Sequence, residues 1–152
     1  MLGDFMAALP DSLGSVQENS DTGLNYFIKY ICILEGVKTK IKNFHWAAKN
    51  LPNNDKRGTH LYLDDLLGEV SDFQDTVAEG SSGILGFMAI DAVCGIPVPA
   101  TSTADLMSYM KNQTLSFYDN MPIGSVYAGL KSETEVFIEI INKYTYLFRL
   151  TE

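Results

Sequence analysis

Apolar residues recur along this chain at the three- and four-residue steps of helices that bury one face. Tyr30, Leu34, Val37, Ile41 and Phe44 follow alternating steps of four and three. That stripe predicts a helix from the N-cap chemistry of Ser20-Asp21-Thr22 to about Lys49. Asn50-Leu51-Pro52-Asn53-Asn54-Asp55 reads as a turn by composition. A second helix is expected from Asp55 or Thr59 to at least Glu79, with Leu63, Leu66, Leu67, Val70, Phe73 and Val77 as its apolar face. Gly80, Gly83 and Gly86 loosen the next stretch of chain, and Gly95-Ile96-Pro97-Val98-Pro99 stops it. Ser102 or Thr103 can cap a third helix carrying Leu106, Met110, Thr114, Phe117 and Met121. Pro122 and Gly124 break it, and Ser125 starts a fourth with Tyr127, Leu130, Phe137, Ile141, Tyr144 and Phe148. No segment reads as a strand and no internal repeat is visible.

Short links join the first helix to the second and the third to the fourth, so the pattern predicts two helical hairpins. The link between the hairpins, about 20 residues at about 3.3 Å each when extended, can run the length of a bundle. The expected fold class is therefore all-α, a ferritin-like four-helix bundle with one long B–C crossover. Residues 1–20 read as an N-terminal tail, and residues 21–152 as the bundle. The tail holds apolar Leu2, Phe5, Met6, Leu9 and Leu13, acidic Asp4, Asp11 and Glu18, and no Lys or Arg.

Charge and composition narrow the classes. With 152 residues, 46% of them hydrophobic, one domain with its own core is expected. A net charge of −8 argues against a nucleic-acid surface, which needs clustered cations. Lys38, Lys40, Lys42, Lys49, Lys56 and Arg57 gather around the first turn and are read as a solvated face. Cys32 and Cys94 lie far apart in apolar runs and are read as buried free thiols of a reducing compartment, so a cytoplasmic protein is expected. No secretory signal opens the chain. The most apolar stretch, Ile84 to Val98, is too short and too interrupted by Gly and Pro to span a bilayer, so no membrane association is expected. A P-loop, a G-x-S-x-G elbow and a dinucleotide fingerprint are all missing.

The chain has only two histidines, and both sit where a metal site would use them. His45 falls near the end of the first helix, and His60 opens a polar stripe continued by Asp64, Asp75 and Glu79. Imidazole nitrogen and carboxylate oxygen together suit iron, zinc or manganese. On a wheel of about 100° per residue, this stripe is centred about 130° from the apolar arc of the second helix. It therefore points away from the chain's own core. Asp64 and Asp75 stand about 16 Å apart along the axis, too far for one ion. An antiparallel copy of the same helix, related by a two-fold axis near Glu69, would set His60 and Asp64 opposite the partner's Asp75 and Glu79. Gly68 and Ser71 at the midpoint permit close approach. The pattern predicts a two-fold homodimer through the second helix, with two equivalent sites.

The runs Asn43-Phe44-His45-Trp46, Thr59-His60-Leu61-Tyr62-Leu63-Asp64-Asp65-Leu66 and Asp75-Thr76-Val77-Ala78-Glu79 resemble the signature of the Dps mini-ferritins. The motif covers roughly residues 41–80, and the helix count extends the likeness over about residues 20–150. The resemblance implies a four-helix subunit of a hollow dodecamer, with a ferroxidase centre between two-fold-related subunits. It implies His45, His60 and Asp64 on one side of that centre, Asp75 and Glu79 on the other, and Trp46 beside it. Three features depart from the family pattern. The turn between the histidines looks longer, Gly80 stands where an Arg is usual, and a Gly/Ser run replaces the expected helical continuation. The basic tail with which some members bind DNA is also absent.

The expected function is oxidation of Fe(II) by peroxide or dioxygen and sequestration of Fe(III), without DNA binding. Iron is the expected metal, with zinc or manganese as substitutes. Glu69 and Asp72 are candidate acidic nucleation points. The alternative is a ferritin-like structural or adaptor subunit of a larger assembly, with a static or vestigial metal site. The longer turn between the histidines, the Gly80-Ser81-Ser82-Gly83 break and the apolar tail favour that alternative.

Overall fold

The computed structural model describes residues 11–86 and 95–152, with side chains from Gly23 onward. Four helices carry the fold: α1 Asp11–Trp46, α2 Lys56–Leu85, α3 Thr103–Asp119 and α4 Ala128–Arg149. Short 3-10 turns at Ala48–Asn50 and Ser125–Tyr127 lead out of α1 and into α4. The described residues contain no strand. The expected tail residues 1–10 and Cys94 lie outside the described residues, whereas Cys32 is a half-buried free thiol.

Two boundaries differ from the sequence expectation. Helix α1 begins at Asp11, before the expected cap at Ser20–Thr22. No proline lies between Asp11 and Thr22, and extending an existing helix gains one hydrogen bond per residue fixed. Helix α2 also runs on through Gly80-Ser81-Ser82-Gly83 to Leu85, so the expected break there is overturned. Ser81 Oγ donates to the Val77 carbonyl at 2.6 Å and Ser82 Oγ to the Ala78 carbonyl at 2.6 Å, which satisfies both hydroxyls on the helix itself. The helix stops at Gly86, whose φ of +92° suits a residue without Cβ.

The other boundaries follow from local chemistry. Asp55 caps α2 by accepting from the Gly58 amide at 2.8 Å, and Ser102 caps α3 by accepting from the Asp105 amide at 3.1 Å. The apolar face of α2 is buried as expected, with Leu63, Leu66, Val70 and Val77 all at 0% exposure and Leu67 only partly covered. Each such burial stabilises the fold by about 1.5–3 kcal/mol. They meet Leu34, Val37 and Ile41 of α1, Leu106 and Met110 of α3, and Phe137 and Ile141 of α4 in one core.

Helix α1 packs on α2 and α3, and α4 packs on the other side of the same pair. At one end, Tyr26 stacks on Phe117 of α3 and Phe27 on Tyr127 before α4, and Gly23 approaches Leu85 at the end of α2. At the other end, the α1–α2 turn is pinned by buried Asn53. Its amide donates to Thr151 Oγ1 at 2.6 Å and Thr103 Oγ1 at 3.3 Å. Helices α1 and α4 therefore run one way, α2 and α3 the other. The chain ahead of α3 crosses α1 at Gly36, where the Ile96 amide donates to the Cys32 carbonyl at 3.0 Å. A Cβ on Gly36 would overlap the Ile96 carbonyl oxygen, so only glycine permits this crossing.

Candidate metal centre

The Asp55 cap sets the first turn of α2 directly beneath the last turn of α1, which brings His60 against His45. Their rings stack with centroids 3.9 Å apart and planes 25° from parallel. His45 Nδ1 lies 3.2 Å from the His60 carbonyl oxygen, and His60 Nδ1 lies 3.1 Å from the His45 carbonyl oxygen. A carbonyl only accepts, so these partners assign the proton to Nδ1 in both rings. In the neutral ring this tautomer carries its lone pair on Nε2, the form in which histidine binds metal. The bond from His60 also occupies one of the carbonyls that the end of α1 cannot satisfy internally.

The carboxylates are placed differently. Asp64 is exposed one turn beyond His60, and Asp75 and Glu79 are exposed further along α2. Among the described residues, no three His, Cys, Asp or Glu side chains come close enough to hold an ion within one chain. The structure thus joins His45 to His60 and leaves Asp64, Asp75 and Glu79 apart from the pair. All of them lie on a face separate from the buried arc of α2. The midpoint of that face is bare: a Cβ on Gly68 would meet nothing within 4 Å. Trp46 beside the pair is 74% exposed and Leu61 is 50% exposed. Glu69 and Asp72 line a cleft of ≈160 Å³ between α2 and α4, together with Glu133.

A second polar cluster on the α1–α2 seam was not legible in the sequence. Buried Gln74 donates through Nε2 to the Ile31 carbonyl at 3.1 Å and to Glu35 Oε2 at 2.9 Å. Its Oε1 accepts from Lys38 Nζ at 2.9 Å, and Lys38 pairs with Glu35 at 3.2 Å. The Gln74 bond, aided by Lys38 and opposed by burial, holds the Glu35 carboxyl below its usual range.

The expected solvated basic face also resolves into distinct roles. Lys38 belongs to this cluster, and Lys40 sits 5.5 Å from the centre of the Phe44 ring. Lys49, Lys56 and Arg57 instead line a pocket of ≈460 Å³ with His45, Trp46 and His60. Their number was visible in the sequence, but their convergence depends on the turn.

No helix among the described residues is long and apolar enough to cross a membrane. Comparison of the chain with protein-family models, curated proteins and solved structures returns no match.

Proposed function

We propose that this chain is a ferritin-like subunit of the mini-ferritin type. It takes Fe(II) as substrate at a centre shared by two copies of α2, oxidises it with peroxide or dioxygen, and sequesters the Fe(III). The reciprocal histidine tie carries this reading. It fixes both tautomers and leaves two Nε2 lone pairs at an exposed corner, which a purely structural stacking would not require. Imidazole holds Fe(II) without adding charge, and carboxylate favours the harder Fe(III) product.

The sharing is supported by the lack, among the described residues, of a third ligand within one chain. In the antiparallel pairing about Glu69, His60 faces the partner's Glu79 and Asp64 faces the partner's Asp75. Bare Gly68 faces Ser71 of the partner subunit, and no contact within the chain accounts for a glycine there. Leu61 supplies apolar area for a second copy to cover. Closure into a dodecamer, with zinc or manganese as substitute ions, belongs to the same reading.

The ferritin-like topology is supported by the ends of the helices. Helix α2 finishes beside Gly23 and α3 starts beside Asn53, at opposite ends of the bundle, as a long crossover requires. The adaptor alternative loses one of its three supports, because α2 continues through the Gly/Ser run.

Complementation tests the shared centre. His60→Ala chains and Glu79→Ala chains are each expected to fail in Fe(II) oxidation. A verified heterodimer of the two keeps one intact site, with its partner site doubly damaged. Failure of such heterodimers to regain activity would exclude a centre built from two chains.

A further inference from the structure

We infer that the pocket beside the histidine pair binds a small multivalent phosphate, free or as an ester. The inference stands on the chain itself and does not require the iron reading. Lys49, Lys56 and Arg57 line the pocket together with Trp46, His45 and His60.

No carboxylate lines this pocket, although the chain carries 19 Asp and Glu against 11 Lys and Arg. Clustering of cations against the sign of the whole molecule asks for an anion from outside it. Asp55, the nearest acid in sequence, spends its carboxylate on the Gly58 amide. Among the described residues, Lys49 and Arg57 meet no acid, and the one ion pair is Lys38 with Glu35. Lys56 donates to the Leu51 carbonyl, which anchors its stem and leaves further N–H groups to offer.

The chemistry of the three cations favours phosphate. A guanidinium fork matches two oxygens of a tetrahedral anion, while the ammonium groups add point charge with little directional demand. A volume of ≈460 Å³ falls within the about 300–1,000 Å³ typical of small-molecule sites. The exposed face of Trp46 offers a stacking wall that an ester bearing a planar base would use and an inorganic anion would not.

Trp46 is the single tryptophan of the chain and reports on the pocket directly. Metal-free protein is titrated with inorganic pyrophosphate and, separately, with ADP, following Trp46 fluorescence and equilibrium dialysis at about 0.1 M salt. Saturable binding of either ligand is expected. Lys49→Glu/Arg57→Glu should weaken it by more than about tenfold, because two charge-assisted contacts become repulsions. Lys111→Glu/Lys143→Glu changes the net charge equally, at exposed positions outside the pocket, and should leave binding unchanged. Tighter binding of ADP assigns the ligand as a stacked ester, and equal binding assigns it as the phosphate alone. If the charge-reversed pocket is unstable in thermal melts, Lys49→Ala/Arg57→Ala takes its place. The inference is overturned if neither ligand saturates, or if the two double variants weaken binding equally.

Discussion

Helices α1 and α2 meet at two polar places, and only one of them is complete. At Gln74, each described polar bond ends within the chain: on the Ile31 carbonyl, on Glu35 or on Lys38. At the histidine corner, the Nδ1 atoms are occupied, while no bond to either Nε2 is found among the described residues and Trp46 and Arg57 are exposed. A closed cluster fixes the angle between two helices. An open one leaves side chains of the same seam without a closing partner among the described residues.

The largest expected effect comes from covering the open face. Gly68→Leu places a bulky side chain where the paired α2 helices would cross, and metal binding, dimer formation and Fe(II) oxidation should fall together to background. The isolated bundle should melt no lower, since removing an exposed helical glycine gains up to about 1 kcal/mol. Sedimentation and thermal melts read both quantities, and a Gly68→Leu dimer with full oxidation would place the chemistry elsewhere.

Removing one ligand comes next. His60→Ala should weaken binding of Zn(II), a redox-silent probe, by more than the about 10–100-fold typical of losing a supporting partner. The histidine side chain is exposed, so the melting temperature should change little. Unchanged Zn(II) affinity by calorimetry would remove His60 from the ligand set.

The closed cluster should behave in the opposite way. Gln74→Leu removes the bonds to the Ile31 carbonyl, Glu35 and Lys38 and should cost about 1–3 kcal/mol in urea unfolding, with Zn(II) affinity unaltered in the folded protein. A loss of metal binding larger than the loss of stability would show that the two polar places are coupled.

Smaller still is the pH dependence. Glu35 titrates below its ordinary 4.5, so its stabilisation is full above that value and is lost as pH falls through the lower folded value. Burial pushes the Tyr30 hydroxyl above its ordinary 10.0, so its contribution is full below pH 10 and is lost as pH rises beyond it. Urea midpoints should decline at both extremes. Tyr30→Phe should flatten the alkaline limb and leave the acid limb in place. With a net charge of −8, the wild-type chain should not retard plasmid DNA near physiological salt. Salt-sensitive retardation would mean that Lys49, Lys56 and Arg57 act on a polymer.

Periodicity made the α2 core legible because Leu63, Leu66, Val70, Phe73 and Val77 return to one face, and burial on that face is a local property of the helix. The same wheel separated His60, Asp64, Asp75 and Glu79 from the core. It could not show that the His45 and His60 rings stack, because that depends on how the turn between them folds. Gly80 and Gly83 misled for a related reason. Intrinsic preference counts against glycine in a helix, but close packing against Leu130, 3.3 Å from where a Gly80 Cβ would stand, favours it here. Gln74 offered no signal, since one amide in a helix looks the same whether solvated or buried.

The clamp on the α1–α2 turn also bears on when the histidine corner takes shape. Asn53 is held by Thr151, 98 residues further along the chain, and the Asp55 amide donates to the Thr151 carbonyl at 2.9 Å. During synthesis, His45 and His60 leave the ribosome long before the residue that locks the loop between them. A nascent chain therefore displays two histidines without their final alignment, and gains the aligned pair only once α4 has docked. On the proposed reading, metal capture is thereby reserved for finished subunits.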